Sequence, residues 1–353
     1  MFLNYRNSSC LGLDIGSSGI KAVQLRKSRR EVYLCRYGLA KTPAGAVSDG
    51  KIQKPEQLAG SLKALMNRKI FRGKACVISV GRDNVILRSL FLPQMKQKEL
   101  YEAMSYEAQK HIALEKVAYD YTRLPCADQG QMKILIAAVP WEIIQKYIEV
   151  MDLAGLYVSA VEVEPLALIR NFGFDLKERR PLENEEIFIL LDVGVETTGM
   201  NVLEGSCYSF SRNLAFGSNS IIGRVMEEEK ISRELAEYKL NNYSLKSLKG
   251  AEDAASQLVR EVQRNLSSYL YKNDDRELQL KNILITGGAA GFTGLDSYIG
   301  SELGIETYIL DPFLHLKWDK KVSSNIASNI ARDKRFLNVA IGLALRRWRR
   351  DVH

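Results

Sequence analysis

Residues 11–23, L-G-L-D-I-G-S-S-G-I-K-A-V, decide how the rest of the chain is read. An apolar strand ends on Asp14, a Gly/Ser turn follows, and a second β-prone run begins at Gly19. A carboxylate is thereby delivered to a strand end beside glycine backbone and two hydroxyls, a set suited to metal and phosphate. A tight hairpin uses the same residues, so this stretch alone leaves both readings open.

The pattern restarts in residues 187–203, I-F-I-L-L-D-V-G-V-E-T-T-G-M-N-V-L. Asp14 and Asp192 each close an apolar strand and are followed by x-Gly and hydroxyls, so the chain reads as two duplicated halves. Two such aspartates facing one cleft would hold a hydrated Mg²⁺, while turn N–H groups and the hydroxyls of Ser17, Ser18, Thr197 and Thr198 take phosphate oxygens. Lys21 either adds charge toward those phosphates or is a solvated strand lysine. A third piece, I-T-G-G-A-A-G-F-T-G at 285–294, imitates a dinucleotide fingerprint through Gly288, Gly291 and Gly294. Too little chain follows for a complete doubly wound domain. Gly287 and Gly288 instead let a base and ribose lie against bare backbone.

Composition narrows the classes. The 353 residues suit about two domains, and 46% hydrophobic content supplies a large core. Five scattered cysteines without a C-x-x-C pair argue against a disulfide framework or zinc site, and three histidines against a histidine-built metal site. The formal charge of +8 comes with short basic clusters only, at 26–30 and 346–350. No aromatic-interleaved basic stripe accompanies them, so a basic face toward a membrane is favoured over nucleic acid. No signal peptide or membrane span is expected.

Periodicity predicts helices over 55–67, 97–111, 141–153 with a stop at Gly155, much of 220–272, 294–303, and an amphipathic final helix over 333–350. Residues 74–80, 84–93 and 133–140 read as strands, and 74–158 as a compact α/β module. The charged run 175–186 reads as a linker.

Asp14-x-Gly-Ser-Ser, Asp192-x-Gly-x-x-Thr-Thr and Thr286-Gly-Gly, in this order, resemble the phosphate 1, phosphate 2 and adenosine motifs of the actin-like ATPase superfamily. V-E-V-E-P-L-A-L at 161–168 resembles its connecting motif, which implies that Glu164 orients an attacking water; a glutamate opening a helix before Pro165 is the plainer alternative. Within the superfamily the chain resembles the PilM family of type IV pilus assembly proteins, relatives of the cell-division protein FtsA. V-M-D-L-A-G-L, L-G-I-E-T-Y-I-L-D-P-F and L-N-V-A-I-G-L-A-L-R carry that likeness with the motifs above.

The resemblance implies an α/β, actin-like two-lobed fold with duplicated ribonuclease H-like subdomains and a relocated FtsA/PilM-type subdomain. The expected division is 1–73, 159–185 and 313–353 for subdomain 1A and 74–158 for the partner-binding subdomain 1C. Residues 186–220 with 281–312 form subdomain 2A, and 221–280 subdomain 2B. It further implies ATP or ADP with Mg²⁺ in the interlobe cleft, the metal on Asp14 and Asp192. The nucleotide would be held by Gly16, Ser17, Ser18, Lys21, Gly194, Thr197, Thr198, Glu237, Gly287, Gly288 and Ala289. The implied partners are the cytoplasmic N-terminal peptide of a PilN-like inner-membrane protein and other pilus platform proteins. The implied location is the cytoplasmic face of the bacterial inner membrane, with attachment through that partner.

The chain departs from the pattern at Val195, Glu196 and Gly199. It also departs in A-E-Y-K-L at 236–240, where Lys239 is displaced by one position, and in H-I-A-L-E at 111–115. Turnover, where present, is therefore expected to be slow. The rival expectation is a nucleotide-independent scaffold with a vestigial cleft. A small-molecule kinase lacks a substrate-side aspartate, and the basic tail is read as cation placement at a helix end rather than a lipid anchor.

Overall fold

The structure, a computed structural model, describes residues 9–29, 31–67, 71–110, 116–124, 130–179, 186–205, 207–273, 278–319 and 324–348. The chain divides into two compact units, 1–171 with 315–329 and 339–353, and 172–314 with 330–338.

In the first unit the order is β1 (Ser9–Ile15), β2 (Gly19–Ser28), β3 (Glu31–Lys41), β4 (Val47–Ser48), β5 (Lys51–Ile52), α1 (Pro55–Asn67) and β6 (Ala75–Val80). Then come β7 (Ile86–Pro93), α2 (Gln97–Lys110), β8 (Val117–Leu124), β9 (Gln131–Pro140), α3 (Trp141–Leu153), β10 (Tyr157–Val163) and α4 (Glu164–Arg179), whose residues from Phe172 on are counted with the second unit. Gly155, at φ +75°, ends α3 as expected. The second unit follows with β11 (Glu186–Val193), β12 (Thr198–Glu204), β13 (Cys207–Leu214), α5 (Ser218–Glu229), α6 (Arg233–Asn242), α7 (Ala251–Tyr271), β14 (Gln279–Thr286), α8 (Leu295–Leu303) and β15 (Thr307–Ile309). The chain closes through β16 (Lys317–Trp318), α9 (Ser324–Asp333) and α10 (Asn338–Leu345). Among the described residues no helix is long and apolar enough to cross a membrane.

Both large sheets repeat one plan. In the first, β3, β2 and β1 are antiparallel neighbours, and β6 then β10 continue beside β1 in parallel. In the second, β13, β12 and β11 are antiparallel and β14 then β15 continue in parallel. The duplication extends to register: Asp14 stands opposite Lys21, and Asp192 opposite Gly199. β11 is buried along its whole length, as a central strand covered on both faces must be. Its core is closed by α7, whose Ala254, Leu258, Val262 and Leu266 recur at helical spacing.

A separate antiparallel sheet, β7-β9-β8, interrupts the first unit. α2 covers it by packing Leu100, Met104 and Ala108 on Met132, Ile134 and Ile136 of β9. β8 was not anticipated from sequence.

Two other expectations change. The final helix is not an amphipathic run over 333–350. α9 ends at Asp333, a 3₁₀ turn spans Lys334–Phe336, and α10 is a short, nearly wholly buried helix. Side chains apolar all round require burial on all sides. A Cβ on Gly12 would lie 2.2 Å from the Ala340 carbonyl oxygen, and one on Gly342 1.8 Å from that of Ala167, so α10 touches β1 and α4 backbone to backbone. Arg346 and Arg347 directly follow the carboxyl end of α10, as cation placement at a helix end expects. Arg346 pairs with Glu162, and Arg347 donates to the Ser9 carbonyl. The charged run expected as a linker is in part helical, because α4 continues to Arg179; residues 180–185 lie outside the described residues.

Candidate functional site

In the first unit the carboxyl ends of β1, β6 and β10 lie side by side, since Leu13 is level with Ile78 and Val163 with Val80. Carboxyl ends of adjacent parallel strands are where open α/β sheets present ligand-binding groups. Here they present Asp14, the Gly81–Arg82 turn and Glu164. Asp14 is 7% exposed and bound by Lys21 Nζ at 2.9 Å. Burial pushes its carboxyl above the usual range; Lys21 opposes that rise, Glu164 adds to it and Arg82 opposes it. The turn is closed by Gly16 N–H donating to the Gly19 carbonyl at 3.0 Å and is tied from β3 by the Thr42 hydroxyl donating to the Gly16 carbonyl at 2.7 Å. Ser17 and Ser18 are left exposed at its tip. A Cβ on Gly16 would stand 3.0 Å from Lys21 Nζ, so the ammonium lies against the turn as well as on Asp14.

Glu164 opens α4 and is gripped by Arg82 in a fork: Nη2 donates to Oε1 at 2.6 Å and Nε to Oε2 at 3.2 Å. This bidentate pair engages both carboxylate oxygens. Arg82 is a residue that sequence reasoning missed, and no local pattern announces it.

The second unit repeats the turn. Gly194 N–H donates to the Thr197 carbonyl at 3.0 Å, matching Gly16 and Gly19 in the first. Asp192 is 9% exposed at the end of β11. Thr197 is half-buried, whereas Thr198 is buried and its hydroxyl donates to the Phe216 carbonyl at 2.7 Å, which commits it to the fold. The carboxylate of Glu196 is turned to Asn219 Nδ2 at 2.5 Å. From Asn219 a chain of contacts continues through Arg233 Nη2 at 2.6 Å to Glu237, which Arg233 Nε holds at 2.7 Å. Glu237 thus belongs to an exposed polar chain that begins at the turn. Lys239 pairs with Glu229 at 2.6 Å and ties α6 to α5.

Beside Asp192, β14 ends at Thr286, and Gly287 follows at φ +86°. A Cβ there would lie 2.6 Å from Asp192 Oδ1 and 2.5 Å from the Val193 carbonyl oxygen. Gly288 and Ala289 open a 3₁₀ turn, Gly288–Gly291. The segment between α9 and α10 covers this loop. The Arg335 carbonyl accepts from Gly287 N–H and from the Thr286 hydroxyl, which in turn accepts from Asn338 Nδ2 at 2.7 Å. The Arg335 guanidinium occupies the place a Gly291 side chain would need. Burial lowers the pKa of Arg335, and its Nη1 donates to Asn241 Oδ1 at 2.9 Å. Arg335 and Asn338 were also missed; their only sequence signal is that K-R-F-L-N precedes the apolar helix.

The donor set fits a magnesium nucleotide in part. Each unit offers a strand-end carboxylate beside a glycine turn, and Gly287 lets the loop after β14 pass directly against Asp192 and Val193. Among the described residues no cluster of His, Cys, Asp or Glu forms a self-sufficient metal cage, so a cation would depend on phosphate and water for its remaining ligands.

The first unit also holds a groove of about 790 Å³. One wall is β6 and β10, through Val77, Val80, Val161 and Val163; the other is β8 and β9, through Tyr119, Tyr121, Leu135 and Val139. β8 and β10 are edge strands of their sheets, so two edges border one apolar channel. Glu162, buried on β10 between two of these valines, also lines the groove and is held by Arg170 at 2.7 Å and by Arg346.

Comparison with known proteins gives a consistent result. The family model for type IV pilus assembly protein PilM matches residues 12–348. A solved PilM-PilN type IV pilus biogenesis complex is 25% identical, with a TM-score of 0.83 over 96% of this chain and 98% of that one. The ethanolamine utilization protein EutJ from Carboxydothermus hydrogenoformans is 15% identical, with a TM-score of 0.56 over 96% of this chain and 90% of that one, a likeness of fold.

Proposed function

The chain belongs to the type IV pilus assembly protein PilM family, and from that premise we propose that it is a nucleotide-binding, actin-like scaffold of a pilus inner-membrane platform. Its partner on this reading is the cytoplasmic N-terminal peptide of a PilN-like protein, which recruits it to the cytoplasmic face of the membrane beside other platform proteins. The observation that carries the proposal is the apolar channel bordered by the edges of β8 and β10. An extended peptide can pair its backbone with such an edge and place alternate side chains on the apolar wall. The module of residues 74–158 would be the partner-binding subdomain.

The nucleotide, ATP or ADP with Mg²⁺, would draw on both turns. Ser17, Ser18 and Lys21 would take phosphate oxygens in the first unit and Thr197 in the second, with Gly16 and Gly194 setting the two turns. Gly287, Gly288 and Ala289 would lie under the base and ribose, with Glu237 toward the ribose. Asp14 and Asp192 would orient the hydrated cation, which when bound supplies charge neutralisation for the phosphates. Nucleotide state would then bias partner affinity by differential binding.

Calorimetry with a synthetic N-terminal peptide of the PilN-like partner tests the first part. Wild type binds, and Val161→Glu, which puts a carboxylate in the channel, does not; equal binding by both overturns the assignment. Mg-ATP titration of wild type, Asp14→Ala and Asp192→Ala tests the second. A second reading, a scaffold that binds without turning nucleotide over, is favoured by the Arg82 fork on Glu164, because a carboxylate so engaged is poorly placed to accept from water.

A further inference from the structure

The two members of the Arg82–Glu164 pair continue the two strands that form one wall of the groove. β6 ends at Val80, two residues before Arg82, and β10 ends at Val163, immediately before Glu164. Val80 and Val163 are opposite one another in the ladder, and both line the groove. The ion pair therefore ties the two strands together just past their last rung, with 12% and 19% of its side chains exposed.

The rest of the surroundings give this tie leverage. β10 is an edge strand whose register against β6 slips between Val158 and Ala160, so its start is held less regularly than its end. The Arg82 turn is anchored on its other side: Asn84 Nδ2 donates to the Asp49 carbonyl at 2.8 Å, and a Cβ on Gly81 would stand 3.0 Å from Gly50 Cα. With the turn so held, a displacement of β10 would be taken up at the fork rather than at the turn. At the neighbouring end of β1, Glu164 and Arg82 act electrostatically on Asp14.

We propose that the Arg82–Glu164 ion pair is a latch between groove and strand-end site: closed, it withholds the Glu164 carboxylate, and a peptide seated along β10 opens it. The proposal rests on the groove being the partner site. Arg82 is on this account a positioning residue acting through Glu164. Opening the latch opposes peptide binding, so its removal strengthens binding; coupling of this kind runs from about fivefold upward.

The test is calorimetric titration of the same partner peptide into nucleotide-free wild type, Arg82→Ala, Glu164→Gln and the double variant. Glu164→Gln keeps the side chain's shape and covers the case in which Arg82→Ala fails to fold. The expected result is a Kd at least about fivefold lower in each single variant and no further gain in the double. Arg82→Lys, which keeps one charged contact without the fork, is expected to fall between. Unchanged Kd in both single variants overturns the latch while leaving the groove assignment standing. Peptide binding that Val161→Glu does not weaken overturns the groove assignment and the latch with it. As a second readout, Arg82→Ala is expected to release phosphate from Mg-ATP faster than wild type, and Arg82→Ala/Glu164→Gln is not; equal rates in Arg82→Ala and the double variant count against a role through Glu164.

Discussion

Gly287→Ala isolates the structural basis of the second half-site. At φ +86° and ψ −173° the backbone lies in a region essentially restricted to glycine, and another residue there costs about 1–3 kcal/mol. The added methyl would also lie 2.5 Å from the Val193 carbonyl oxygen and 2.6 Å from Asp192 Oδ1. The Val193 carbonyl cannot swing away, because β11 is held there by its ladders, Asp192 pairing with Thr286 and Val193 with Thr198; the Asp192 carboxylate can rotate, so the backbone contact carries the penalty. Relief requires the two strand ends to part, an overpacking cost of about 1–3 kcal/mol. Together about 3 kcal/mol is a conservative sum, and at about 2–4 °C per kcal/mol the unfolding midpoint of this unit should fall by roughly 6–12 °C. Gly288→Ala is the control. Its Cβ would meet only Phe336 Cε1 at 3.7 Å, an ordinary contact, so stability should hold. If a nucleotide lies against this backbone, Gly288→Ala lowers Mg-ATP affinity without lowering the midpoint. Scanning calorimetry decides the first point, and a Gly287→Ala midpoint within about 1 °C of wild type would falsify the close-approach argument.

Lys21→Met should destabilise the protein in a pH-dependent way. The folded pKa of Asp14 is already raised above 3.8 by burial, and loss of Lys21 raises it further. A raised carboxyl supplies stability below its unfolded value that disappears as pH rises through the folded one. The penalty of the variant relative to wild type should therefore be small near pH 4 and grow toward pH 7, and urea titrations giving equal penalties at both pH values refute it. Arg170→Met leaves buried Glu162 with Arg346 and the Val163 N–H and should cost about 3 kcal/mol in urea unfolding, the low end for a broken buried pair; less than about 1 kcal/mol would show that these partners compensate fully. Glu196→Ala should change Mg-ATP affinity by no more than about twofold, because that carboxylate is turned onto Asn219. A large gain in affinity would mean that Glu196 faces the phosphate after all.

What could be read in the sequence was short-range. Strand, aspartate, glycine turn and return strand occupy consecutive residues, so both halves and their shared turn geometry were visible in 11–23 and 187–203. The family's identity followed from the order of those pieces. Arg82 was illegible because its partner is 82 residues away, and a lone arginine after a strand carries no pattern. β8 was missed because V-A-Y-D-Y-T-R-L has no cleanly buried face: as an edge strand along the groove it is half-exposed on both sides. The final helix was extended too far because Arg346, Arg347 and Trp348 continue a helix-compatible composition, whereas the two arginines turn to Glu162 and Ser9. The commitment of Thr198 to Phe216 depends on the chain's return after β13, which no local rule reveals.

The shared register makes the difference between the halves informative. Seven positions after each aspartate the cross-strand partner is Lys21 in one copy and Gly199 in the other. The first turn thus carries its own cation, and a nucleotide's phosphates would compete with Asp14 for Lys21, or be bridged by it. Across from Asp192, Gly199 supplies no charge, and the nearby glycine at 287 holds the backbone close to the carboxylate instead. On the proposed reading the hydrated cation consequently depends more on Asp192 than on Asp14. Removing the second carboxylate should then weaken the magnesium dependence of nucleotide binding, and removing the first should chiefly weaken the phosphate contact through Lys21. Titrations of ATP with and without Mg²⁺ separate the two. If Asp14→Ala abolishes the magnesium effect and Asp192→Ala leaves it intact, the asymmetry in register does not govern the site.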